Sequence, residues 1–311
     1  NSHQPLEGPF SWYEAHLHSD EGWNVMGGTF PGGATIFHGV NDSLGWAHTV
    51  SFADMNDIYK LEMNPKEKLQ YRFDGKWLQL EKKKVKLKVK IGFLKIPVKK
   101  TIYKSVYGPT LKSKDGNYYS LRFAASTDIE AAEQWYKMNK AKNFEEFQQA
   151  LELQHIKGLN TIYADAKNNI YYLDNAALPL RNPNYDWWDV LPGDTSATLW
   201  DNTKFAPLKD LIQVKNPDCG FVFNTNNTPL LSTGKDCQPA YNDFPTSKYY
   251  FRFNNNRSLR MFDLLSSQDT FSYEDFKRIK YDQCYRTPLY ILALANIEDI
   301  FTLSPEKYPE I

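Results

Sequence analysis

The sequence predicts a strand-rich α+β fold, and three observations carry that prediction. Short stretches of alternating apolar and polar residues recur along most of the chain, separated by clusters of Gly, Pro, Asn and Asp. Helical spacing of apolar residues is confined to the middle and the last third. Aromatic residues make up 15% of the 311 residues, which suits half-buried strands and an aromatic-lined site. That length allows one large domain or two smaller ones. Lys and Arg together number 37, as do Asp and Glu, so charge points neither to nucleic acid nor to an anionic membrane surface. No apolar run is long enough to cross a membrane as a helix. The chain opens on Asn1 and reads as part of a longer polypeptide.

In chain order, residues 10–17 alternate as a strand, and turn signals at 22–28 and at Pro31-Gly-Gly33 flank further strands. Gly39, Asn41 and Asp42 are turn formers. Residues 44–50 then run as a strand whose Gly45 and Ala47 leave room for close backbone approach. Asp54, Asn56 and Asp57 follow as three oxygen donors beyond the strand end. Short strands fill 58–80, with a hairpin signal at Phe73-Asp-Gly-Lys76. Residues 81–104 alternate lysine with apolar residues on both sides of Gly92. This predicts a twisted hairpin with one buried face, its lysines in water guarding a sheet edge. Tyr107-Gly-Pro-Thr110 reads as a turn, and 118–123 as a strand. Helical spacing covers 126–138, and Asn143-Phe-Glu-Glu146 has the form of a capping box before a second helix. Residues 160–165 and 170–173 flank Lys167-Asn-Asn169 as a hairpin. Residues 180–200 are loop-like, and a short apolar strand from Cys219 ends in Asn224-Thr-Asn-Asn227. Capping signals precede helices through 265 and 279.

The chain has no Gly-x-Ser-x-Gly elbow, no His-Glu-x-x-His, no Cys-x-x-Cys and no phosphate loop. His16 and His18 sit at strand spacing, but no thiolate or third imidazole near them completes a zinc site. Asp54, Asn56 and Asp57 suit calcium better, because that ion favours several oxygen ligands. An asparagine at the end of a buried strand can aim its amide at an oxyanion, or it can cap its own turn. Cys219 and Cys237 bracket a short loop and are either bridged or free.

The succession of stretches resembles the penicillin acylase family of N-terminal nucleophile hydrolases, nearest its cephalosporin acylase and acyl-homoserine lactone acylase branches. The matching residues are Asn1-Ser-His3, Trp12-Tyr-Glu-Ala-His-Leu17, Gly39-Val-Asn41, Gly45-Trp-Ala-His-Thr-Val50 and Asp54-Met-Asn-Asp57. They continue with Tyr107-Gly-Pro109, Tyr163-Ala-Asp165, Pro192-Gly-Asp194, Gly220-Phe-Val-Phe-Asn-Thr-Asn226 and Asn256-Arg257. The resemblance implies a four-layer αββα sandwich, incomplete in this chain. It implies a single β-chain domain carrying a lysine-rich hairpin at 82–104 and a helical insertion at 126–154. The implied reaction is hydrolysis of a small N-acylated substrate through an acyl-enzyme on an N-terminal serine, whose own amino group acts as base.

By the same resemblance, His3 sits beside the nucleophile, the Val50 N–H and the Asn226 side chain form the oxyanion hole, and Arg257 organises Asn226. Phe37 and His38 would line the acyl pocket. Asp54, the Asn56 carbonyl and Asp57 match part of a structural calcium site. The family serine would lie upstream of His3, and Asn1 and Ser2 cannot replace it, so the chain by itself is expected to be inactive. Its partners would be an α chain and the rest of the β chain, in the periplasm or outside the cell. The alternative is a non-catalytic, calcium-stabilised β-rich domain that binds sugars or peptides.

Overall fold

A computed structural model describes residues 4–125, 129–287 and 289–290. The strands are β1 (Tyr13–Ser19), β2 (Trp23–Thr29), β3 (His38–Asn41), β4 (Leu44–Val50), β5 (Asn56–Lys60), β6 (Gln70–Phe73), β7 (Lys76–Gln79), β8 (Glu81–Ile91), β9 (Leu94–Ser105), β10 (Gly108–Lys112) and β11 (Tyr118–Phe123). Helices α1 (Ala131–Lys140) and α2 (Phe144–Leu151) follow, then β12 (Leu159–Asp165), β13 (Ile170–Asn175), β14 (Leu191–Pro192) and β15 (Gln213–Lys215), and finally α3 (Asn256–Leu265) and α4 (Tyr273–Lys280). Among the described residues, 4–53, 129–176 and those from 207 onward form one compact unit, while 54–125 and 177–206 form another.

The first unit is built on a seven-stranded sheet in the order β1-β2-β3-β4-β12-β13-β15, antiparallel at every pairing. Gly39 lies in β3 rather than in a turn, facing Gly27 of β2. A Cβ on Gly27 would stand 2.0 Å from the His38 carbonyl oxygen, so the two backbones approach as only glycine allows. Asn41 does make the turn, its Oδ1 accepting from the Ser43 and Leu44 N–H groups at 2.9 and 3.0 Å.

Helix α2 is capped as its sequence predicts, with Asn143 Oδ1 accepting from the Glu146 N–H at 2.9 Å. Such a cap contributes about 1 kcal/mol. The buried face of α2 sets Phe147 against Trp46 and Tyr163, which are cross-strand partners on β4 and β12. Helix α1 begins at Ala131, later than its apolar spacing suggests, after Glu130, which makes no side-chain cap. Its Asn139 side chain takes both backbone groups of Ile36, at 2.9 and 2.8 Å. That clamp holds the helix beside the segment leading into β3.

The second unit has a six-stranded sheet in the order β14-β5-β11-β10-β9-β8, and a separate hairpin of β6 and β7. Asp74 and Gly75 turn that hairpin with φ of 46° and 77°, the two left-handed residues of a type I′ turn. The turn expected at residues 107–110 lies earlier, at Val106-Tyr107, because Gly108 already pairs with Ser105. Tyr107 is instead a core residue, stacked on Tyr59 at 4.2 Å.

The lysine-rich hairpin pairs from Glu81 with Lys104 to Ile91 with Leu94, and β8 forms the sheet edge as predicted. Its apolar face is not buried. Leu87, Val89, Ile91, Leu94, Ile96 and Val98 share that face and are between 41 and 61% exposed. The cause is reach: β10 pairs only with Tyr103, Lys104 and Ser105 at the base of β9. The predicted strand after Cys219 is also absent as a ladder element, although the Phe223 N–H reaches the Ser232 carbonyl at 2.9 Å. A Cys219–Cys237 disulfide closes this segment. Closing so short a loop stabilises by about 3 kcal/mol on the chain-entropy account.

Candidate active site

The end of β4 organises a cavity of about 380 Å³. Ser51 donates its N–H to the Gly158 carbonyl, and antiparallel alternation turns the Val50 N–H to the opposite edge. Two residues earlier on that edge, the His48 N–H donates to His38 Nδ1 at 2.8 Å. Because β3 starts at His38, no strand among the described residues flanks Val50 there. Its N–H is therefore a main-chain donor outside the ladder, on a residue lining the cavity.

An amide network builds the facing wall. Thr49 Oγ1 donates to Asn224 Oδ1 at 2.5 Å, and Asn160 Nδ2 reaches Thr49 Oγ1, the Val50 carbonyl and Asn224 Oδ1 at 3.0 to 3.2 Å. Tyr172 donates its hydroxyl to Asn160 Oδ1 at 2.8 Å. The Asn226 N–H donates to Asn224 Oδ1 at 2.8 Å, and Asn226 adopts a left-handed φ of 63°, a region asparagine enters more readily than most residues. One N–H of its side chain goes to the Val50 carbonyl at 2.9 Å. An amide nitrogen carries two donors, so a second remains for a ligand. Arg257 donates to Asn226 Oδ1 at 3.0 Å, which fixes the orientation of that amide. Arg257 sits in the first turn of α3, where Asn255 both caps the helix and donates to the Thr225 carbonyl.

Aromatic rings line the rest. Trp12, Phe30, Phe37 and Trp135 stand around the cavity with His38 and His48. Trp135 lies 4.3 Å from Phe37 and donates its indole N–H to His48 Nε2 at 3.2 Å. Burial pushes the His38 and His48 imidazoles down to about 4 and about 3. Both rings are neutral near pH 7, and with Nδ1 of His38 accepting, its proton is on Nε2.

Of the residues singled out from sequence, Val50, Asn226, Arg257, Phe37 and His38 all line this one cavity. His3 lies outside the described residues. Asp54, Asn56 and Asp57 belong to the second unit; Asn56 and Asp57 are inside β5 rather than in a turn, with Asn56 exposed and Asp57 buried. Both carboxylates face Arg181, whose guanidinium donates to Asp54 Oδ2 at 2.9 Å and to Asp57 Oδ2 at 2.9 and 3.3 Å. Trp135, Asn160 and Thr49 also belong to the site. Nothing local marks them, since the sheet register and the α1 clamp bring them to the site.

Behind Val50, Ser51 Oγ donates to Asp174 Oδ1 at 2.7 Å. Burial pushes the Asp174 carboxyl up to about 7. Its folded pKa exceeds the unfolded value of about 3.9, so its contribution to stability is complete below pH 4 and is lost as pH rises through 7. Asp174→Asn is expected to flatten the fall in urea midpoint between pH 5 and 8, and to be more stable than the parent at pH 8. An unchanged pH slope in the variant contradicts this.

A thermostable penicillin G acylase from Alcaligenes faecalis has the same architecture over 86% of this chain and 46% of its own, with 25% identity and a TM-score of 0.70. The fold is thus the strand-rich α+β fold of an N-terminal nucleophile hydrolase. The penicillin amidase family model matches residues 1–305, and the chain belongs to that family. An acyl-homoserine lactone acylase PvdQ of Pseudomonas fluorescens is 32% identical over 68% of this chain, and the penicillin G acylase of Escherichia coli is 28% identical over 72%. The matched stretches cover 29% and 27% of those proteins, under a third of their length.

Proposed function

We propose that this chain supplies the oxyanion hole and acyl pocket of an amide-bond hydrolase acting on small N-acylated substrates. The observation that carries the reading is the juxtaposition, at one aromatic cavity, of the off-ladder Val50 N–H and the Arg257-oriented amide of Asn226. Two such donors suit the oxygen of a tetrahedral intermediate.

The attacking hydroxyl would be that of an N-terminal serine of the complete protein, whose own amino group takes its proton. As the C–O bond forms, the carbonyl electron pair moves onto oxygen and is met by the two N–H groups. Collapse expels the amine, which receives the proton, and water then releases the acid. Phe37, with Trp12, Phe30 and Trp135, shields the acyl group from water. His38 presents a neutral ring to the same pocket. The names of the relatives favour acyl-homoserine lactones or penicillin-type amides as substrates. The disulfide favours the periplasm or the cell exterior. No helix among the described residues is long and apolar enough to cross a membrane.

The test is turnover by the complete protein of an acyl-homoserine lactone and of a phenylacetyl amide, read as free amine. Release of amine and acid in equal amounts from one of them is expected. Tight binding of both with no cleavage would instead favour a binding domain.

A further inference from the structure

The calcium site that the family pattern suggests meets an obstacle in this chain's own residues. Calcium takes about six to eight oxygen ligands. Here the groups directed at the carboxylates are N–H donors. Arg181 holds Asp54 and Asp57 together, and its side chain is fully buried. Trp200 adds its indole N–H to Asp57 Oδ2 at 2.6 Å. The Trp187 ring lies 5.2 Å from the guanidinium carbon, and Arg122 lies over the Trp200 ring at 4.3 Å. No cluster of three or more His, Cys, Asp or Glu able to hold a metal occurs among the described residues. Asp57 Oδ1 is buried with no hydrogen-bond partner among the described residues.

We infer that Arg181 is a built-in cation that stands where a divalent ion would otherwise neutralise Asp54 and Asp57, so that this unit needs no calcium. A guanidinium satisfies two carboxylates by directed hydrogen bonds and, being covalently attached, cannot be lost to a chelator. Removing it leaves two buried carboxylates, a free Asp57 Oδ1 and the emptied volume of the arginine stem. That vacancy has the charge and the oxygens to take a divalent ion and its waters.

Terbium, an oxygen-seeking stand-in for calcium, emits when excited through nearby tryptophan, and Trp187 and Trp200 supply that antenna. The complete unmodified protein is expected to show no saturable sensitised emission that calcium competes away, and the same melting temperature in chelator and in calcium chloride. Arg181→Ser is expected to melt lower, to show saturable emission displaced by calcium, and to regain part of its melting temperature in millimolar calcium. Adding Asp57→Asn to that variant should remove the emission. Calcium-competed emission from the unmodified protein, lost in Asp57→Asn alone, would overturn the inference. So would an Arg181→Ser protein that folds and gives no saturable signal. Should Arg181→Ser fail to fold in chelator, recovery in calcium is expected, and failure in both contradicts the latent site.

Discussion

Replacing Asn226 with alanine in the complete enzyme is expected to lower kcat by about 10²–10³-fold while leaving KM nearly unchanged. The reason lies in when its second amide N–H is used. A planar carbonyl asks little of that donor, whereas a tetrahedral oxyanion asks for a full charge-assisted hydrogen bond. Asn226 is held in place from three sides, by Asn224 at its backbone N–H, by the Val50 carbonyl at Nδ2 and by Arg257 at Oδ1. Alanine removes the donor and also the reason for the left-handed φ, so a small loss of stability accompanies the change. Steady-state kinetics on phenylacetyl or acyl-homoserine lactone amides read the effect. A rise in KM at constant kcat would place Asn226 in ground-state binding instead.

The second large effect is expected at Val50, and it depends on which atom is removed. Val50→Pro deletes the N–H and should reduce kcat at least as far as Asn226→Ala does. Val50→Ala keeps the N–H and should change kcat by less than about tenfold, because the side chain is half exposed and packs little. Proline is tolerable here because the β4–β12 register turns the Val50 N–H away from β12 and no described strand flanks it on the other edge, whereas at Ser51 it would break the bond to Gly158. Circular dichroism and melting curves for both variants separate a lost donor from a lost fold. A folded Val50→Pro enzyme with near-normal kcat would remove Val50 from the oxyanion hole.

The parts of this molecule that can be read from sequence are those decided over a few residues. Asp74-Gly75 makes the type I′ turn its dipeptide demands, and Asn143 caps α2 with Glu146 three residues on. Val50, Asn226 and Arg257 lie in motifs that resemble the family's in order, and the cavity gathers all three. What stayed hidden depends on distant pairing. Trp135 reaches the cavity because Asn139, four residues along α1, clamps Ile36 across 103 positions. Arg181 meets Asp54 and Asp57 across 127 and 124 positions, and nothing near 181 announces a partner. The lysine hairpin shows the reverse failure. Its alternation defines two faces correctly but says nothing about what lies against either one.

The most direct test of the oxyanion-hole account compares a boronic acid carrying the preferred acyl group across the unmodified enzyme, Asn226→Ala, Val50→Ala and Val50→Pro. The tetrahedral boronate formed with the nucleophile mimics the intermediate. If Val50 and Asn226 bind the oxyanion, the logarithm of inhibitor affinity should fall in step with the logarithm of kcat/KM across the series, while substrate KM stays nearly level. Affinity for the boronate that holds constant as kcat/KM collapses would contradict the account.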